Sequence, residues 1–274
     1  MTSQLEKTIA VVGGGTMGSA IASGLVGTGT VDAARVLVAD HNADKRERLA
    51  AQGMGTYADA AQMAASDPDV VILAVKPQVL TQTVQALPDL LTGRLVISIA
   101  AGVTLGALEG LMPQSRIVRA MPNLPVQVTS GATALCLGTR ATAEDGELAQ
   151  RVFGALGCAF VMREDQLDAE GAVVGCGPAY VALFADLLCR AAVEQGMGAR
   201  AARSMVLTTI RGVADQLLSS EEHPRSYMEK VTSPGGTTAK GLRAMEPALF
   251  DAVEDGVDAA LARTAELAGE GSGN

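Results

Sequence analysis

Short apolar runs rich in β-branched residues alternate with longer amphipathic segments through about the first 160 residues. The runs that predict buried strands cover residues 8–12, 35–39, 70–75, 95–99 and 117–120. Strands that alternate with helices predict an α/β fold with a doubly wound, parallel sheet. Two more strands are predicted at the edge of this sheet, over residues 132–137 and 159–162, with a helix over 144–155 between them.

From about residue 165 onward the strand pattern disappears, and apolar residues recur at helical spacing. Helices are predicted over residues 178–195, 199–218, 225–231 and 246–267. Apolar residues are spread around the first of these helices, which indicates burial on more than one face. We therefore predict an all-α second domain that another subunit completes, with domains at 1–163 and 164–274. A buried central helix of a monomer is the alternative interpretation.

A glycine-rich loop, GGGTMG, follows the first predicted strand and opens the first helix. In this context the pattern G-x-G-x-x-G is typical of dinucleotide binding. Gly13 would make the tight turn, Gly15 would admit the pyrophosphate, and Gly18 would let helix and strand pack closely. A glycine-rich loop without a ligand is the alternative, but the position between a strand and a helix favours a dinucleotide site.

Polar candidates follow the carboxyl ends of the other predicted strands, where ligands of such sheets bind. Asp40 occupies the position at which an acid binds ribose hydroxyls and favours NAD, whereas the nearby Lys45 and Arg46 favour the phosphate of NADP. Lys76 either lines the cofactor cleft or is a surface lysine. Asn123 lies between two prolines and either holds a loop or orients the nicotinamide.

The sequence VTSPGGTTAKG predicts a turn that opens a helix in the second half of the chain. Ser233 and Pro234 suit the N-cap and the first helical position. Gly236 lets a ligand approach the backbone, and Thr237 and Thr238 add two hydroxyls and two N–H groups. A helix N-terminus of this kind favours an anion such as a carboxylate, and the alternative is a plain capped helix start.

Composition limits the classes of function. The net charge of −9 disfavours nucleic acid and anionic membranes as partners. The four cysteines form no C-x-x-C pair, so no metal site is predicted, and the N-terminal residues lack the pattern of a signal peptide. We therefore expect a cytoplasmic protein. No Ser-His-Asp set and no motif with paired carboxylates stands out, which suits hydride transfer by a bound cofactor.

The chain resembles the pyrroline-5-carboxylate reductase family. The resemblance rests on GGGTMG, AVKPQ, ISIAAGV, RAMPNLP, GCGPAYV and VTSPGGTTAKGL, which occur in the family's order and spacing over nearly the whole chain. It implies an N-terminal Rossmann domain followed by a helical dimerisation domain. It also implies a homodimer, which forms decamers in several members, and NADPH as the cofactor, with NADH also possible.

The resemblance implies a role for particular residues. Ser233, Gly236, Thr237 and Thr238 would hold the substrate carboxylate, and Thr238 would be the catalytic residue that hydrogen-bonds the ring nitrogen. Hydride transfer to the C=N bond of 1-pyrroline-5-carboxylate would give L-proline. The expected cofactor-binding residues are Gly13, Gly15, Thr16, Met17, Gly18, Asp40, Val75, Lys76, Pro77, Ala100 and Asn123.

The chain departs from the family pattern at four positions, one of which is Leu124 in MPNLP, where many members have Thr. Thr16 stands where the family usually has Asn, and Val174 and Cys176 stand where it usually has Ser. These changes bear on the substrate and not on the fold. The alternatives are therefore a reductase of another cyclic imine and a non-catalytic, regulatory protein that binds NAD(P).

Overall fold

The structure is a computed structural model that describes residues 4–271, with side chains to residue 266. The described chain divides into two compact units. One unit ends at Gly175 and takes up the chain again from Thr264, and the other covers Cys176–Arg263. The boundary predicted from the sequence, at 163/164, remains a prediction.

The first unit is built on a single sheet with the strand order β3-β2-β1-β4-β5-β6-β7-β8. All neighbouring strands are parallel except β6 and β7, which are antiparallel. The predicted α/β fold class and the two edge strands are therefore confirmed. The strands are β1 (Ile9–Val12), β2 (Val36–Ala39), β3 (Gly55–Tyr57), β4 (Val70–Leu73), β5 (Leu95–Ser98), β6 (Arg116–Pro122), β7 (Gly131–Leu137) and β8 (Gly157–Val161).

Helices cover both faces of this sheet. Since side chains along a strand point alternately to opposite faces, successive residues of β1 belong to different apolar clusters. Ile9 of β1 packs with Ile21 and Phe153 on one face. Ala10, the next residue of β1, packs with Leu80 on the other. The α-helices of this part of the chain are α1 (Thr16–Gly27), α2 (Ala43–Ala50), α3 (Pro77–Gln85), α4 (Pro88–Leu91), α5 (Leu105–Leu111), α6 (Ala143–Gly154) and α7 (Leu167–Glu170).

Shorter helical segments connect these elements. The 3₁₀ segments are Ala33–Arg35, Ala60–Ser66, Leu124–Val128 and Glu164–Gln166. A single π-helical turn, Gly171–Gly175, follows α7. Its last residue, Gly175, is the last one before the second unit begins. π-Helical turns are rare in proteins, and a large share of those that occur lie at functional sites.

The second unit is helical, as predicted. Its helices are α8 (Gly177–Glu194), α9 (Ala199–Ser220), α10 (Pro224–Lys230) and α11 (Thr237–Gly271), and the residues of α11 from Thr264 onward belong to the first unit. The predicted start of the last helix, at residue 246, is wrong, because α11 begins nine residues earlier. Pro247 lies inside this helix, where its missing N–H costs one backbone hydrogen bond without ending the helix.

Candidate active site

The glycine loop between β1 and α1 has the geometry that its sequence predicts. Gly13 has φ +105°, a conformation that residues with a side chain rarely adopt, and a Cβ there would lie 2.7 Å from the Ala74 carbonyl oxygen. A Cβ on Gly18 would overlap the Gly13 carbonyl oxygen. By contrast, a Cβ on Gly15 would have no neighbour within 4 Å. The loop is thus packed tightly on the protein side and open at Gly15.

The N-terminus of α1 points its unpaired backbone donors at this open side. Gly15 is the N-cap and offers no side-chain hydrogen bond to the first turn. The N–H groups of Thr16 and Met17 belong to that first turn, where backbone N–H groups have no acceptor within the helix. The Ser19 hydroxyl donates to the Gly14 carbonyl oxygen over 2.8 Å and braces the loop. No acidic residue occupies the first turn of α1. Free N–H groups, a positive helix end and an open glycine fit a dinucleotide diphosphate.

A cleft of about 420 Å³ adjoins this loop. Its walls come from the ends of β1 and β2, from the segment after β3 and from α3. The residues that line it include Gly13, Asp40, His41, Asp59, Val75 and Thr83. A cleft at the carboxyl ends of the central strands is where adenosine and ribose groups bind in doubly wound sheets. Asp59 and Thr83 also line the cleft but were not predicted from the sequence. Asp59 follows β3, which carries no strand pattern, and Thr83 lies inside α3 and belongs to no motif.

Asp40 is one of two carboxylates that line this cleft. One carboxylate oxygen accepts from the Asn42 N–H over 2.8 Å, and the other lies 3.2 Å from the Lys45 ammonium nitrogen. Burial raises the pKa of Asp40, but the hydrogen bonds from Asn42 and Lys45 outweigh it and bring the pKa below the ordinary value of 3.8. Asp40 is therefore a carboxylate at neutral pH and can accept hydrogen bonds from ribose hydroxyls.

The residues after β4 and β5 differ in their access to the cleft. Val75 lines it, and Pro77 is the first residue of α3, which forms one wall. Lys76 is the N-cap of α3 and is exposed, and it is not among the lining residues of the described cleft. Ala100 is buried, with its N–H 3.3 Å from the Ser98 hydroxyl oxygen. The cofactor roles of these four residues remain predictions.

Asn123 uses both ends of its side-chain amide within the protein. The amide nitrogen donates to the Val174 carbonyl oxygen over 3.2 Å, and the amide oxygen accepts from the Ala132 N–H over 2.9 Å. The residue therefore joins the end of β6 to the start of β7 and to the π-helical turn. This geometry matches the loop-holding interpretation, while contact with a nicotinamide remains a prediction.

The predicted anion site lies in the second unit. Gly236 N–H donates to the Ser233 carbonyl oxygen over 3.0 Å, and Gly235 has φ +72°, as the third position of a type II turn requires. The predicted N-cap is wrong, because α11 begins at Thr237 and not at Pro234. The turn takes up Ser233 and Pro234, so the cap position falls to Gly236.

The N–H groups of Thr237 and Thr238 precede the first bond of α11, which Lys240 N–H donates to the Gly236 carbonyl oxygen over 3.2 Å. Ser233 and both threonines are exposed. A Cβ on Gly236 would lie 3.1 Å from the Ser233 carbonyl oxygen and would require the Ser233 hydroxyl to rotate away, so the turn packs closely around this glycine. The turn therefore presents backbone N–H groups and hydroxyls together, an arrangement suited to a carboxylate.

Two features of the described residues bear on other classes of site. No group of three or more His, Cys, Asp or Glu side chains there could hold a metal ion. One helical stretch, Glu164–Glu194, is long and apolar enough to cross a membrane if only its length and composition are considered. Helices that pack inside proteins can have the same length and composition.

Fold and site together define an oxidoreductase of the Rossmann type, with a helical second domain. Residues 8–102 match the family NADP oxidoreductase coenzyme F420-dependent, and residues 164–267 match the family Pyrroline-5-carboxylate reductase dimerisation. The pyrroline-5-carboxylate reductase of Synechocystis is 35% identical over 260 residues, which cover 94% of this chain and 97% of that protein. The Pseudomonas aeruginosa enzyme is 36% identical over 264 residues, covering 95% and 96%.

Solved structures agree with these relatives. The pyrroline-5-carboxylate reductase of Coxiella burnetii superposes with a TM-score of 0.90 at 34% identity, covering 96% of this chain and 99% of that one. The Plasmodium falciparum pyrroline carboxylate reductase, solved with NADP bound, gives a TM-score of 0.82 at 27% identity, covering 96% and 98%. The chain belongs to the pyrroline-5-carboxylate reductase family.

Proposed function

We propose that this protein reduces 1-pyrroline-5-carboxylate to L-proline with NADPH, or with NADH. The observation that carries the proposal is the turn before α11, which presents N–H groups and hydroxyls suited to a carboxylate in a chain of this family. The substrate has one carboxylate and one C=N bond. The turn before α11 suits the carboxylate, and the glycine loop suits the dinucleotide that would donate a hydride to the C=N bond.

The residues of the turn bind and orient the substrate. The N–H groups of Thr237 and Thr238 and the Ser233 hydroxyl donate to the carboxylate, and Gly236 lets it approach the backbone. The Thr238 hydroxyl hydrogen-bonds the ring nitrogen and fixes the face of the ring. When bound, the reduced dinucleotide supplies the hydride that adds to the carbon of the C=N bond. The substrate reacts as its cationic iminium, which already carries a proton on the ring nitrogen. The π electrons therefore become the lone pair of a neutral secondary amine, and no strong protein acid is required.

The cofactor is proposed to lie across the carboxyl edge of the sheet. Gly13, Gly15 and Gly18, with the N–H groups of Thr16 and Met17, would hold the diphosphate. Asp40 would take the ribose near the adenine. Val75, Lys76, Pro77, Ala100 and Asn123 would flank the rest of the molecule, with Asn123 nearest the nicotinamide.

We propose that a second copy of the chain covers the helical unit. Large apolar side chains on three of its helices are exposed, among them Leu187 of α8, Met205 of α9 and Phe250 of α11. Large exposed apolar surfaces are typical of sites of protein–protein interaction. The match of this segment to a dimerisation family supports a homodimer, and assembly into a decamer remains a prediction.

The proposed domains are 1–163 and 164–274.

A cytoplasmic location is also proposed. The four cysteines are all unpaired thiols. Unpaired thiols suit a reducing compartment, whereas exported proteins commonly carry disulfides.

The direct test follows NADPH and NADH oxidation at the nicotinamide absorbance with 1-pyrroline-5-carboxylate, and identifies proline by chromatography. We expect turnover with proline as the product. Thr238→Ala is expected to lower kcat about 10²-fold or more, because it removes a hydrogen bond to the reacting ring. Thr92→Ala, at the exposed C-cap of α4 in the first unit, is the control and should retain full activity. Cofactor binding without turnover of this substrate would favour another cyclic imine or a regulatory role.

A further inference from the structure

A buried cation lies on β6, close to the carboxyl edge of the sheet. Arg119 has a side chain that is only 7% exposed, and the residue is aligned with Ser98, the last residue of β5. Its guanidinium nitrogen Nη1 lies 2.7 Å from Oε1 of Glu164, in the short 3₁₀ segment that follows β8. A buried guanidinium is costly unless an acceptor pairs with it, so this contact fixes the segment that carries Glu164 to β6.

The same carboxylate oxygen binds a third element. Oε1 of Glu164 accepts a hydrogen bond from the backbone N–H of Leu105 over 2.6 Å, 59 residues away along the chain. Leu105 is the first residue of α5, where a backbone N–H has no acceptor within its own helix. Hydrogen bonds to an ionised group are stronger than those between neutral groups. Glu164 therefore joins the start of α5 to β6 through a single atom.

Two segments next to this junction are those proposed to flank the nicotinamide half of the cofactor. Residues 99–104 connect β5 to α5 and include Ala100, and Asn123 directly follows β6. The glycine loop and Asp40, proposed for the adenosine half, follow β1 and β2 instead. In the strand order, β2 and β6 are separated by four strand spacings, or about 19 Å. The junction at Glu164 thus lies at the nicotinamide end of the sheet edge.

We propose that Glu164 is a positioning residue for the nicotinamide half of the bound dinucleotide. It acts through Arg119 and the Leu105 N–H and holds the segment after β5 at a fixed place relative to β6. Ala100 and Asn123 thereby keep a constant separation across the nicotinamide. The inference rests on the proposed function for the kind of cofactor and for its course along the sheet edge.

Loss of this junction should affect one half of the cofactor and not the other. The glycine loop is braced by its own contact, from the Ser19 hydroxyl to the Gly14 carbonyl oxygen over 2.8 Å. Asp40 is held by the Asn42 N–H. Neither contact involves Glu164, so the adenosine half keeps its binding site. The nicotinamide half loses its fixed walls, and a misplaced reacting group transfers hydride more slowly.

The test compares the whole dinucleotide with its adenosine half. The Kd of NADPH comes from the change in cofactor fluorescence, and that of 2′,5′-ADP comes from calorimetry. Glu164→Gln removes the charge but keeps the shape of the side chain. It is expected to weaken NADPH binding and lower kcat about tenfold each, while the Kd of 2′,5′-ADP changes less than about twofold. Retained binding of 2′,5′-ADP also shows that the variant is folded.

Asp145→Asn is the matched control, because it breaks an ion pair at the other end of the same strand. Asp145 pairs with Arg116, the first residue of β6, over 2.9 Å, and its side chain is 9% exposed. Loss of this pair should destabilise the protein but leave both Kd values unchanged. A double variant, Arg119→Met with Glu164→Met, removes both charges and so leaves no unpaired guanidinium. It should show the same selective loss even if Glu164→Gln does not fold.

Equal weakening of NADPH and 2′,5′-ADP in the folded Glu164 variants, or no change in either, overturns the inference. A selective loss of the same size in Asp145→Asn also overturns it, because any loosening of β6 would then have this effect. An unaltered protein that binds no dinucleotide would overturn the proposed function and the inference with it. The expected Kd values without reduction of 1-pyrroline-5-carboxylate would support the inference and overturn the proposed substrate alone.

Discussion

The side-chain amide of Asn123 donates a hydrogen bond to the main-chain carbonyl oxygen of Val174 over 3.2 Å. The contact reaches from the end of β6 to the π-helical turn, 51 residues further along the chain. It uses the backbone of Val174 and not its side chain. The departure from the usual serine at this position therefore leaves the contact intact.

Asn123→Ala should destabilise the protein by about 1–3 kcal/mol, because it leaves the Val174 carbonyl and the Ala132 N–H without their partners. Urea unfolding measures the change. Gln127→Ala, at an exposed position of the next segment, should change stability by less than about 0.5 kcal/mol. If Asn123→Ala unfolds at the same urea concentration as the unaltered protein, the contact has no structural role.

Glu170 gives the stability a pH dependence. One of its carboxylate oxygens is buried and has no hydrogen-bond partner among the described residues. Burial raises the pKa of this carboxyl from 4.5 to about 7. The folded state therefore prefers the protonated form. Its contribution to stability is fully present below the unfolded-state pKa and is lost as the pH rises through about 7.

Glu170→Gln should remove this dependence. The difference in unfolding free energy between the variant and the unaltered protein should grow between about pH 5 and pH 8, reaching about 1–2 kcal/mol after allowance for partial exposure. Urea unfolding at several pH values provides the measurement. Asp168→Asn, on the same short helix but exposed, serves as the control. Parallel pH profiles for Glu170→Gln and the unaltered protein would contradict the assignment.

A substitution in the glycine loop can change the affinity for the cofactor without changing how the protein folds. Gly15→Ala should fold normally, because its φ is −70° and a Cβ there meets nothing within 4 Å. It should nevertheless weaken NADPH binding about tenfold, because the methyl group projects from the open side of the loop. Gly110→Ala, equally open but on α5, is the control for both measurements. Unchanged NADPH affinity in Gly15→Ala would place the diphosphate elsewhere.

If the protein is a dimer, a charged substitution in the interface should lower its mass in solution. Phe250→Glu introduces a charge on α11 at a side chain that is 59% exposed in the single chain. If a second copy covers this position, the buried charge should dissociate the dimer, which light scattering after gel filtration detects. Val128→Glu, at a residue of the first unit that is 70% exposed, should leave the mass unchanged. A Phe250→Glu protein that keeps the dimer mass would exclude α11 from the interface.

The sheet could be predicted from the sequence because most of its strands are short, buried and rich in Val, Ile and Leu. The strand β3 was missed because Gly55–Tyr57 has three half-buried residues and no apolar pattern. The start of α11 was placed too late because a proline inside a helix usually marks a boundary. Local sequence therefore located most elements but not those whose bounds depend on tertiary contacts.

The site was predictable only in part for the same reason. The glycine loop and the turn before α11 are continuous motifs, and both lie where the sequence placed them. The cleft combines residues from β2, from the segment after β3 and from α3, so no single stretch of sequence indicates it. The Asn123 contact with Val174 also joins distant segments, and an i→i+5 turn leaves no periodic pattern to recognise.

The turn from Ser233 to Gly236 shapes the proposed substrate site through its main chain. Its fold depends on the left-handed Gly235, and it leaves little room for a side chain at Gly236, where a Cβ would lie 3.1 Å from the Ser233 carbonyl oxygen. Because every residue type but proline carries the same N–H group, most substitutions at Thr237 would leave the anion donors in place. A carboxylate-bearing inhibitor directed at this turn would thus meet few routes to resistance that do not also disable the enzyme.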